Sequence, residues 1–397
     1  MTDKIAIFYF SPIFYDSLYQ RPQQLFREWR SHFEESYTFY YVNPPEIFRF
    51  AIFTLQKGRR SLQRRIFNRQ EAGEDDARIL TSMPLPFTLR GHRLPVIQNF
   101  LLRAFDYRKT LEKCCGKTQK KVAIVADPLW EPFITKAEFD VICYDCLDTL
   151  ETHPTSELTA MRKQQKKLIS KSDIVFVTAA KLKEDILSIA REKQVITVSN
   201  GVDTNFFESN KDPKKITDYE RRNSKIVGFI GTLHLWVDID LIYTAAQRLT
   251  GVDFLLIGPF RPELERYKHD KPENVFTLGA KEYSKIPAYI DMLDVGLIPF
   301  KPGPISESTD PVKLYEYFSL GKPVVTTYLR QLEELDNGSL LRMTKTTEEF
   351  IEAIAFFLKH DVEPWQVSRK LIAQRNLWYN KASTIINCIE SRIREKP

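Results

Sequence analysis

Short apolar runs alternate along the chain with longer segments whose apolar positions recur at helical spacing. The short runs predict strands at residues 5–10, 37–43, 79–85, 122–127, 141–144, 174–178 and 195–199, then at 225–230, 254–257, 295–299 and from 324 onward. Helices are predicted between them, among others at 22–32, 157–170, 180–190, 284–292 and 365–394. The alternation of strand and helix predicts an α/β protein built on parallel sheets.

The alternation begins again after a polar segment at 209–223, which is typical of a linker between two domains. A length of 397 residues also suits two domains of ordinary size. We predict a first domain at residues 1–203 and a second at 204–374.

The composition is that of a globular protein, with 43% hydrophobic and 28% charged residues, and does not favour disorder. No apolar run reaches the length of a membrane span, and the N-terminus lacks the pattern of a cleavable signal. Five cysteines suit a reducing compartment, so we expect a cytoplasmic protein. Cys143 and Cys146 form a lone C-x-x-C pair, which is weak support for zinc or redox chemistry.

Part of the net charge of +6 comes from residues 49–70, a segment with seven Lys or Arg and no Asp or Glu. Phenylalanine and aliphatic residues are interleaved with these charges, which favours contact with an anionic membrane surface. Nucleic acid is the rival partner, disfavoured because no nucleic-acid-binding motif is present. An ordinary basic surface helix is the third alternative. A second basic amphipathic segment at 94–115 could extend the same surface.

The most informative stretch is S-T-D-P-V-K-L-Y-E-Y-F-S-L-G-K-P-V-V-T-T at 308–327. We expect Asp310 to cap a helix and Gly321 to end it before a strand. The helix N-terminus would face the loop at 301–309 and could receive a phosphate. Lys313 suits phosphate charge, and Glu316 could accept hydrogen bonds from neighbouring sugar hydroxyls. The alternative is an ordinary surface ion pair between these two residues.

Candidate chemistry in the first half lies beyond the ends of predicted strands, where parallel sheets bind ligands. Arg21 and Gln24, with Gln23, follow the first strand, although Pro22 alone could explain a helix start there. Y-D-C-L-D follows a later strand and supplies Asp145 and Asp148, with Glu151 and His153 nearby. Asp148 is our candidate general base, and the alternative is that these aspartates cap the next turn.

Glycines follow the first strand of the second half in G-F-I-G-T-L-H, which allows a ligand or another backbone to approach closely. The spacing lacks the G-x-G-x-x-G fingerprint, and this disfavours a dehydrogenase. Arg261, in the loop after the next strand, is a candidate phosphate ligand or else a solvated loop residue.

The stretch P-V-K-L-Y-E-Y-F-S-L-G-K-P-V-V-T resembles the donor-binding signature of two-domain glycosyltransferases of the GT-B fold. N-G-V-D-T-N-F-F from Asn200 resembles the interdomain crossing of that fold, and Y-D-x-x-D resembles a feature of bacterial polysaccharide glycosyltransferases. The resemblance implies two facing Rossmann-like domains with an interdomain cleft, with the donor on the second and the acceptor on the first. It also implies that a C-terminal helix, at about 375–397, packs back on the first domain.

Roles for individual residues are also implied by the resemblance. Glu316 matches the ribose-binding position, whereas Ser308 stands where retaining members carry a sugar-contacting glutamate. The loop at 235–238 lacks the arginine and lysine that many relatives use to neutralise diphosphate. The implied donor-binding residues are Glu316, Lys313, Gly231, Thr232, His234, Arg261, Lys281, Pro311 and Val312, and the acceptor-side candidates are Arg21, Gln24 and Asp145.

The closest resemblance is to glycosyltransferases of cell-surface polysaccharide synthesis, in particular of teichuronic acid. It implies a metal-independent enzyme without a cofactor that uses a UDP-sugar and a polyprenyl-diphosphate-linked acceptor at the inner face of the cell membrane. Two alternatives remain: a nucleotide-sugar epimerase of the same fold, and a nucleotide-sugar-binding protein without catalysis.

Overall fold

The computed structural model describes residues 4–15, 19–44, 79–80, 114–115, 119–134, 138–152, 155–208, 216, 218–220, 222 and 225–396. The basic segment at 49–70 lies outside these residues, as do most of 94–115 and His153. The described chain divides into two compact units. The first comprises Met1–Val177, Lys183–Thr197 and Ala382–Pro397, and the second Thr178–Leu182 and Val198–Lys381. The chain changes unit near 197 and 381, a few residues from the predicted boundaries at 203 and 374.

The first unit contains a parallel sheet of seven strands among the described residues, in the order β3-β2-β1-β4-β5-β6-β7. Its strands are β1 (Ile5–Phe10), β2 (Tyr37–Val42), β3 (Ile79–Leu80), β4 (Lys121–Val125), β5 (Val141–Cys146), β6 (Ile174–Val177) and β7 (Val195–Thr197). The helices are α1 (Arg21–Phe33), α2 (Thr155–Lys171) and α3 (Ala180–Ile189). Nearly continuous apolar strands explain the parallel sheet, because both of its faces are covered.

The second unit contains six parallel strands in its described part, in the order β10-β9-β8-β11-β12-β13. These are β8 (Lys225–Ile230), β9 (Val252–Ile257), β10 (Val275–Gly279), β11 (Val295–Ile298), β12 (Val324–Thr327) and β13 (Leu341–Thr344). The helices are α4 (Asn205–Glu208), α5 (Ile239–Arg248), α6 (Ile286–Met292), α7 (Pro304–Ser308), α8 (Val312–Ser319), α9 (Thr347–His360) and α10 (Glu363–Arg375). The strand order is that of a Rossmann fold, which confirms the predicted α/β class.

The prediction of one continuous helix at 365–394 is wrong, because the structure has two helices there. Helix α10 ends at Arg375, and α11 (Trp378–Glu395) follows it. Between them Leu377 forms a parallel bridge with Val202, and the backbone N–H of Trp378 donates to the carbonyl of Val202 at 3.1 Å. The helix is interrupted because this backbone pairing requires an extended residue.

The C-terminal part of α11 belongs to the first unit. The indole N–H of Trp29 donates to the carbonyl of Ala382 at 3.1 Å, and the hydroxyl of Tyr37 donates to the carboxylate of Glu390 at 2.5 Å. Both contacts attach α11 to elements at the start of the chain.

Candidate functional site

The loops that follow β8 and β11 meet at the point where the strand order of the second sheet reverses. Parallel sheets bind ligands at such points, beyond the carboxyl ends of the strands. Here the backbone N–H of Lys301 donates to the carbonyl of Trp236, and that of Asp238 to the carbonyl of Pro299, both at 2.7 Å. The two loops are therefore fixed to each other next to the candidate ligand position.

Gly231 and Gly258 allow the loops after β8 and β9 to touch. A Cβ atom on Gly258 would lie 1.9 Å from the carbonyl oxygen of Gly231. Gly258 also has a φ of +146°, which side-chain-bearing residues rarely adopt. A further backbone hydrogen bond, from Arg261 N–H to the Leu233 carbonyl at 3.0 Å, continues the contact. The predicted close approach of another backbone is therefore present at Gly231, and it also requires Gly258, which the sequence analysis did not single out.

His234 and Arg261 lie on these two adjoining loops. The imidazole of His234 stacks on Trp236 with 3.4 Å between ring centroids. Its Nδ1 accepts the backbone N–H of Leu235 at 2.9 Å, which leaves the proton of the neutral ring on Nε2. Burial, together with the charge of Arg261, lowers the pKa of His234. The loops therefore offer a neutral N–H donor and a half-exposed guanidinium, a combination that suits phosphate oxygens.

Helix α8 begins at Val312, with Pro311 at the N-cap position. Asp310, which we expected to cap the helix, lies one residue before this N-cap position. Its carboxylate accepts the hydroxyl of Tyr315 at 2.9 Å and the backbone N–H of Asn200. At the other end Gly321 adopts a φ of +74°, and this confirms the predicted helix stop.

Lys313 and Glu316 contact each other one helical turn apart on α8. Glu316 is only 2% exposed, so the alternative of an ordinary surface ion pair does not fit. Burial raises the pKa of Glu316, and the charge of Lys313 acts in the opposite direction. A Cβ atom on Gly231 would lie 3.9 Å from Cε of Lys313. The sequence-predicted cation, carboxylate and glycine loop therefore lie together.

Ser308 occupies the place of the sugar-contacting glutamate, and its side chain is buried. Its hydroxyl donates to the carbonyl of Pro304 at 2.7 Å within the short helix α7. The serine therefore forms a local backbone contact in place of the carboxylate that the resemblance implied.

Lys281 follows β10, beyond the same edge of the sheet as the other donor-binding candidates. Its ammonium group lies 2.6 Å from the carboxylate of Asp218, which also accepts the hydroxyl of Tyr289 at 2.7 Å. Thr232 lies half-buried in the glycine loop. The predicted contacts of Lys281 and Thr232 with a nucleotide stay predictions.

The acceptor-side candidates lie in the first unit, and two of them pair with each other. Arg21 donates to both carboxylate oxygens of Asp145, at 2.9 and 3.2 Å. The hydroxyl of Tyr9 donates to the same carboxylate at 3.1 Å. Gln24 is buried in the first turn of α1. Sequence reasoning missed Tyr9, because an aromatic residue inside an apolar strand gives no signal of a polar contact.

Asp148 lies two residues beyond β5 and is exposed to solvent. Desolvation by the surrounding protein nevertheless raises the pKa of Asp148 to about 6, whereas the charge of Arg21 acts in the opposite direction. Glu151, close by, forms an ion pair with Arg162. The role of Asp148 as a general base stays a prediction.

Among the described residues, no group of three or more His, Cys, Asp and Glu side chains is arranged to hold a metal ion. Within the same ranges, no helix combines the length and apolar character needed to cross a membrane.

Residues 224–360, in the second unit, match the family Glycosyl transferases group 1. The two parallel-sheet units have the GT-B fold, as the structural comparisons below show. The chain is 27% identical over 257 residues to TuaH of Bacillus subtilis (strain 168), which carries the name of a teichuronic acid biosynthesis glycosyltransferase. The match covers 60% of this chain and 64% of TuaH, just under two thirds of that relative.

Solved structures resemble nearly the whole chain. Sucrose-phosphate synthase from Thermosynechococcus elongatus superposes with a TM-score of 0.70 at 14% identity, over 98% of this chain and 99% of the other. Anabaena Alr3699/HepE, in complex with UDP and glucose, gives 0.66 at 14% identity, over 98% and 100%. WaaG, a glycosyltransferase involved in lipopolysaccharide biosynthesis, gives 0.63 at 12% identity, over 97% and 99%. At these identities the likeness concerns the fold alone.

Proposed function

We propose that this protein is a glycosyltransferase that transfers a sugar from a UDP-sugar to a lipid-linked saccharide in cell-surface polysaccharide synthesis. The observation that carries the proposal is the contact of Lys313 with the buried Glu316 beside the Gly231 loop, inside the matched range of residues. The UDP and UDP-glucose complexes of HepE support a UDP-sugar donor. The similarity to TuaH supports a teichuronic-acid-like product, with UDP-glucuronic acid or a UDP-N-acetylhexosamine as candidate donors.

The donor half of the reaction rests on the second unit. Glu316 accepts hydrogen bonds from the ribose hydroxyls, and Lys313 neutralises diphosphate charge. Arg261 and the Nε2–H of His234 add donors for phosphate oxygens on the adjoining loops. As the bond between the sugar and the diphosphate breaks, these groups stabilise the UDP leaving group without a metal ion or cofactor.

The acceptor half rests on the first unit. Asp148 takes the proton of an acceptor hydroxyl as its oxygen attacks the anomeric carbon of the donor sugar. The acceptor is a polyprenyl-diphosphate-linked saccharide. The basic segment at 49–70 holds the enzyme on the anionic inner face of the cell membrane. No nucleic acid takes part.

A donor screen with lipid-linked acceptors tests the proposal. Purified full-length protein is incubated with labelled UDP-sugars and polyprenyl-diphosphate saccharides, and the anomeric configuration of the product is determined. We expect one UDP-sugar to be consumed together with the acceptor. Conversion of the donor into an isomer without acceptor consumption would establish the epimerase alternative instead.

The buried Ser308 favours one further candidate, a nucleotide-sugar-binding protein without catalysis, because the sugar-contacting acid is missing. Calorimetry with UDP-sugars separates the two candidates when combined with the donor screen. Tight donor binding without glycosylation of any lipid-linked acceptor supports the binding protein.

Vesicle binding tests the membrane component separately. Charge reversal at Arg59, Arg60, Arg64 and Arg65 should abolish sedimentation with anionic vesicles. Vesicles of neutral lipid serve as the control. Full retention of the reversed variant on anionic vesicles contradicts the assignment of this segment.

A further inference from the structure

The loop that follows β8 closes into a tight turn of four residues. The backbone N–H of Val237 donates to the carbonyl of His234 at 2.9 Å and so closes the turn. Before the turn, Leu233 forms a parallel bridge with Phe260 of the loop after β9. Val237, its last residue, forms an antiparallel bridge with Phe300 of the loop after β11. Both ends of the turn are therefore held by neighbouring loops at the same edge of the sheet.

Trp236, inside this turn, is fixed by its side chain and by its backbone. Its indole packs against the apolar core of the second unit, and its carbonyl accepts the backbone N–H of Lys301 at 2.7 Å. The imidazole of His234 stacks on the indole with an interplanar angle of 22° and 3.4 Å between the ring centroids. Stacking of aromatic rings contributes attraction beyond the apolar area that it buries. The indole is therefore a fixed surface that sets the plane of the imidazole.

A local hydrogen bond fixes the rotation of the imidazole within that plane. Nδ1 of His234 accepts the backbone N–H of Leu235 at 2.9 Å, and in the neutral ring this leaves the proton on Nε2. Among the described residues, Nε2 has no hydrogen-bond partner. Protonation of Nδ1 would place two N–H donors opposite each other, which disfavours the charged ring. The stack and the hydrogen bond together determine the orientation and the tautomer of His234.

The charged groups that act on His234 lie on the loop after β9. Burial lowers the pKa of His234, and Arg261 acts in the same direction, whereas Glu263 opposes both. The stretch L-W-V-D at 235–238 contains no Lys or Arg, and the carboxylate of Asp238 caps α5. The turn therefore offers an anionic ligand a neutral N–H donor in place of a cation.

We propose that Trp236 is a positioning residue for donor binding: its ring holds the imidazole of His234 so that Nε2–H is presented to an oxygen of the donor diphosphate. The inference rests on the proposed function, in which His234 donates to the diphosphate of a UDP-sugar. A histidine that rotates freely loses side-chain entropy when the ligand binds, whereas a stacked histidine has lost it already on folding. Trp236 thus raises the affinity by pre-organising His234 and makes no contact of its own with the phosphate.

Nuclear magnetic resonance of full-length protein labelled with ¹⁵N at histidine measures the tautomer without a ligand. The signals of His234 are identified among the six histidines by their loss in His234→Gln. In the parent protein we expect a protonated Nε2 and an unprotonated Nδ1. Trp236→Phe keeps an aromatic face and should retain this state, whereas Trp236→Leu should show averaging between the two tautomers. An unchanged tautomer in Trp236→Leu would overturn the proposal.

Calorimetry with UDP tests the effect on the donor site by a double-mutant cycle. His234→Gln and Trp236→Leu should each weaken UDP binding by about tenfold, because both remove the same hydrogen bond to phosphate. The double variant should bind UDP no more weakly than His234→Gln alone, and Trp236→Phe should restore most of the affinity. Additive losses in the double variant would refute an action through His234.

Trp365→Leu is the matched control for lost packing. Trp365 is also a partly buried tryptophan against the same core, and it stacks on Phe356 with 6.2 Å between ring centroids. We expect this variant to bind UDP like the parent protein, and a tenfold loss there would assign the effect of Trp236→Leu to packing. If Trp236→Leu does not fold, Trp236→Met decides by the same criteria, because methionine fills more of the indole volume without an aromatic face. If the parent protein does not bind UDP, the proposed donor is wrong, whereas the tautomer still decides whether Trp236 positions His234.

Discussion

The ammonium group of Lys313 contacts the carboxylate of Glu316, and that carboxylate is almost completely removed from solvent. A buried carboxylate is costly unless its remaining acceptor sites are used. Burial raises the pKa of Glu316 although Lys313 opposes the effect. In the proposed function, ribose hydroxyls complete the hydrogen bonding of this carboxylate and so offset the cost of its burial.

Removal of the Glu316 carboxylate should weaken UDP binding. We expect Glu316→Ala to lose on the order of 1.5–3 kcal/mol of binding free energy, because hydrogen bonds to a charged acceptor disappear. Isothermal titration calorimetry with UDP measures the effect. Glu282→Ala is the matched control, since Glu282 and Lys285 form an exposed i,i+3 pair of the same chemistry. Equal affinities for the two variants would exclude Glu316 from the nucleotide site.

The spacing of Lys313 and Glu316 was sufficient to predict that they share a helix face, because a helix turn is set by local geometry. The burial of Glu316 was not predictable from spacing, since it depends on how α8 packs in the folded unit. The same limit applies to Arg21 and Asp145, which are 124 residues apart in the sequence. In the sequence each of the two residues follows a predicted strand. Whether their side chains can pair depends on the order of the strands in the sheet, which the sequence pattern does not give.

The order of strands in each sheet follows only in part from the alternation of predicted strands and helices. Alternating strands and helices predict parallel sheets, because each helix returns the chain to the same edge. The break between α10 and α11 had no local signal, because Leu377 leaves the helix to pair with Val202, far away in the sequence. Likewise the contact of Asp310 with Asn200 had no local signal, since the two residues are 110 positions apart in the sequence.

Ionisation of Asp148 should produce an acidic limb in the pH profile of kcat/KM. A general base acts in its ionised form, and the pKa of Asp148 is raised to about 6. We therefore expect kcat/KM to increase about tenfold per pH unit below pH 6 and to level off above it. Asp148→Asn should lose this limb and lower kcat by about 10²–10⁴-fold with unchanged UDP affinity. A parent pH profile that is flat between pH 5 and 7 would contradict the assignment.

The contact between Gly258 and Gly231 should not tolerate a side chain. In Gly258→Ala the new Cβ would lie 1.9 Å from a backbone oxygen, and the φ of +146° would be strained by about 1–3 kcal/mol besides. We expect a lower unfolding temperature and UDP binding weakened by about tenfold or more, because the glycine loop must move. Gly251→Ala is the control, since a Cβ there meets no atom within 4 Å. Equal stability and affinity for both variants would contradict the geometry.

Arg369 is the last test, because it holds α8 from its C-terminal end. This fully buried side chain donates to the carbonyls of Gly321 and Leu340, both at 2.9 Å, and to that of Ser339, and it contacts Asp361 at 2.7 Å. Arg369→Met leaves these carbonyls without their donor and Asp361 without its cation, so we expect a loss of about 3–5 kcal/mol of unfolding free energy.

Denaturant unfolding followed by circular dichroism measures this loss, and Arg375→Met provides the control on the same helix. Arg375 is exposed, and its replacement should change the unfolding free energy by no more than about 0.5 kcal/mol. Because α8 carries Lys313 and Glu316, Arg369→Met should also weaken UDP binding under conditions where the variant remains folded. If Arg369→Met were as stable as Arg375→Met, the three carbonyls would have other donors in the variant. The position of α8 would then depend on other contacts.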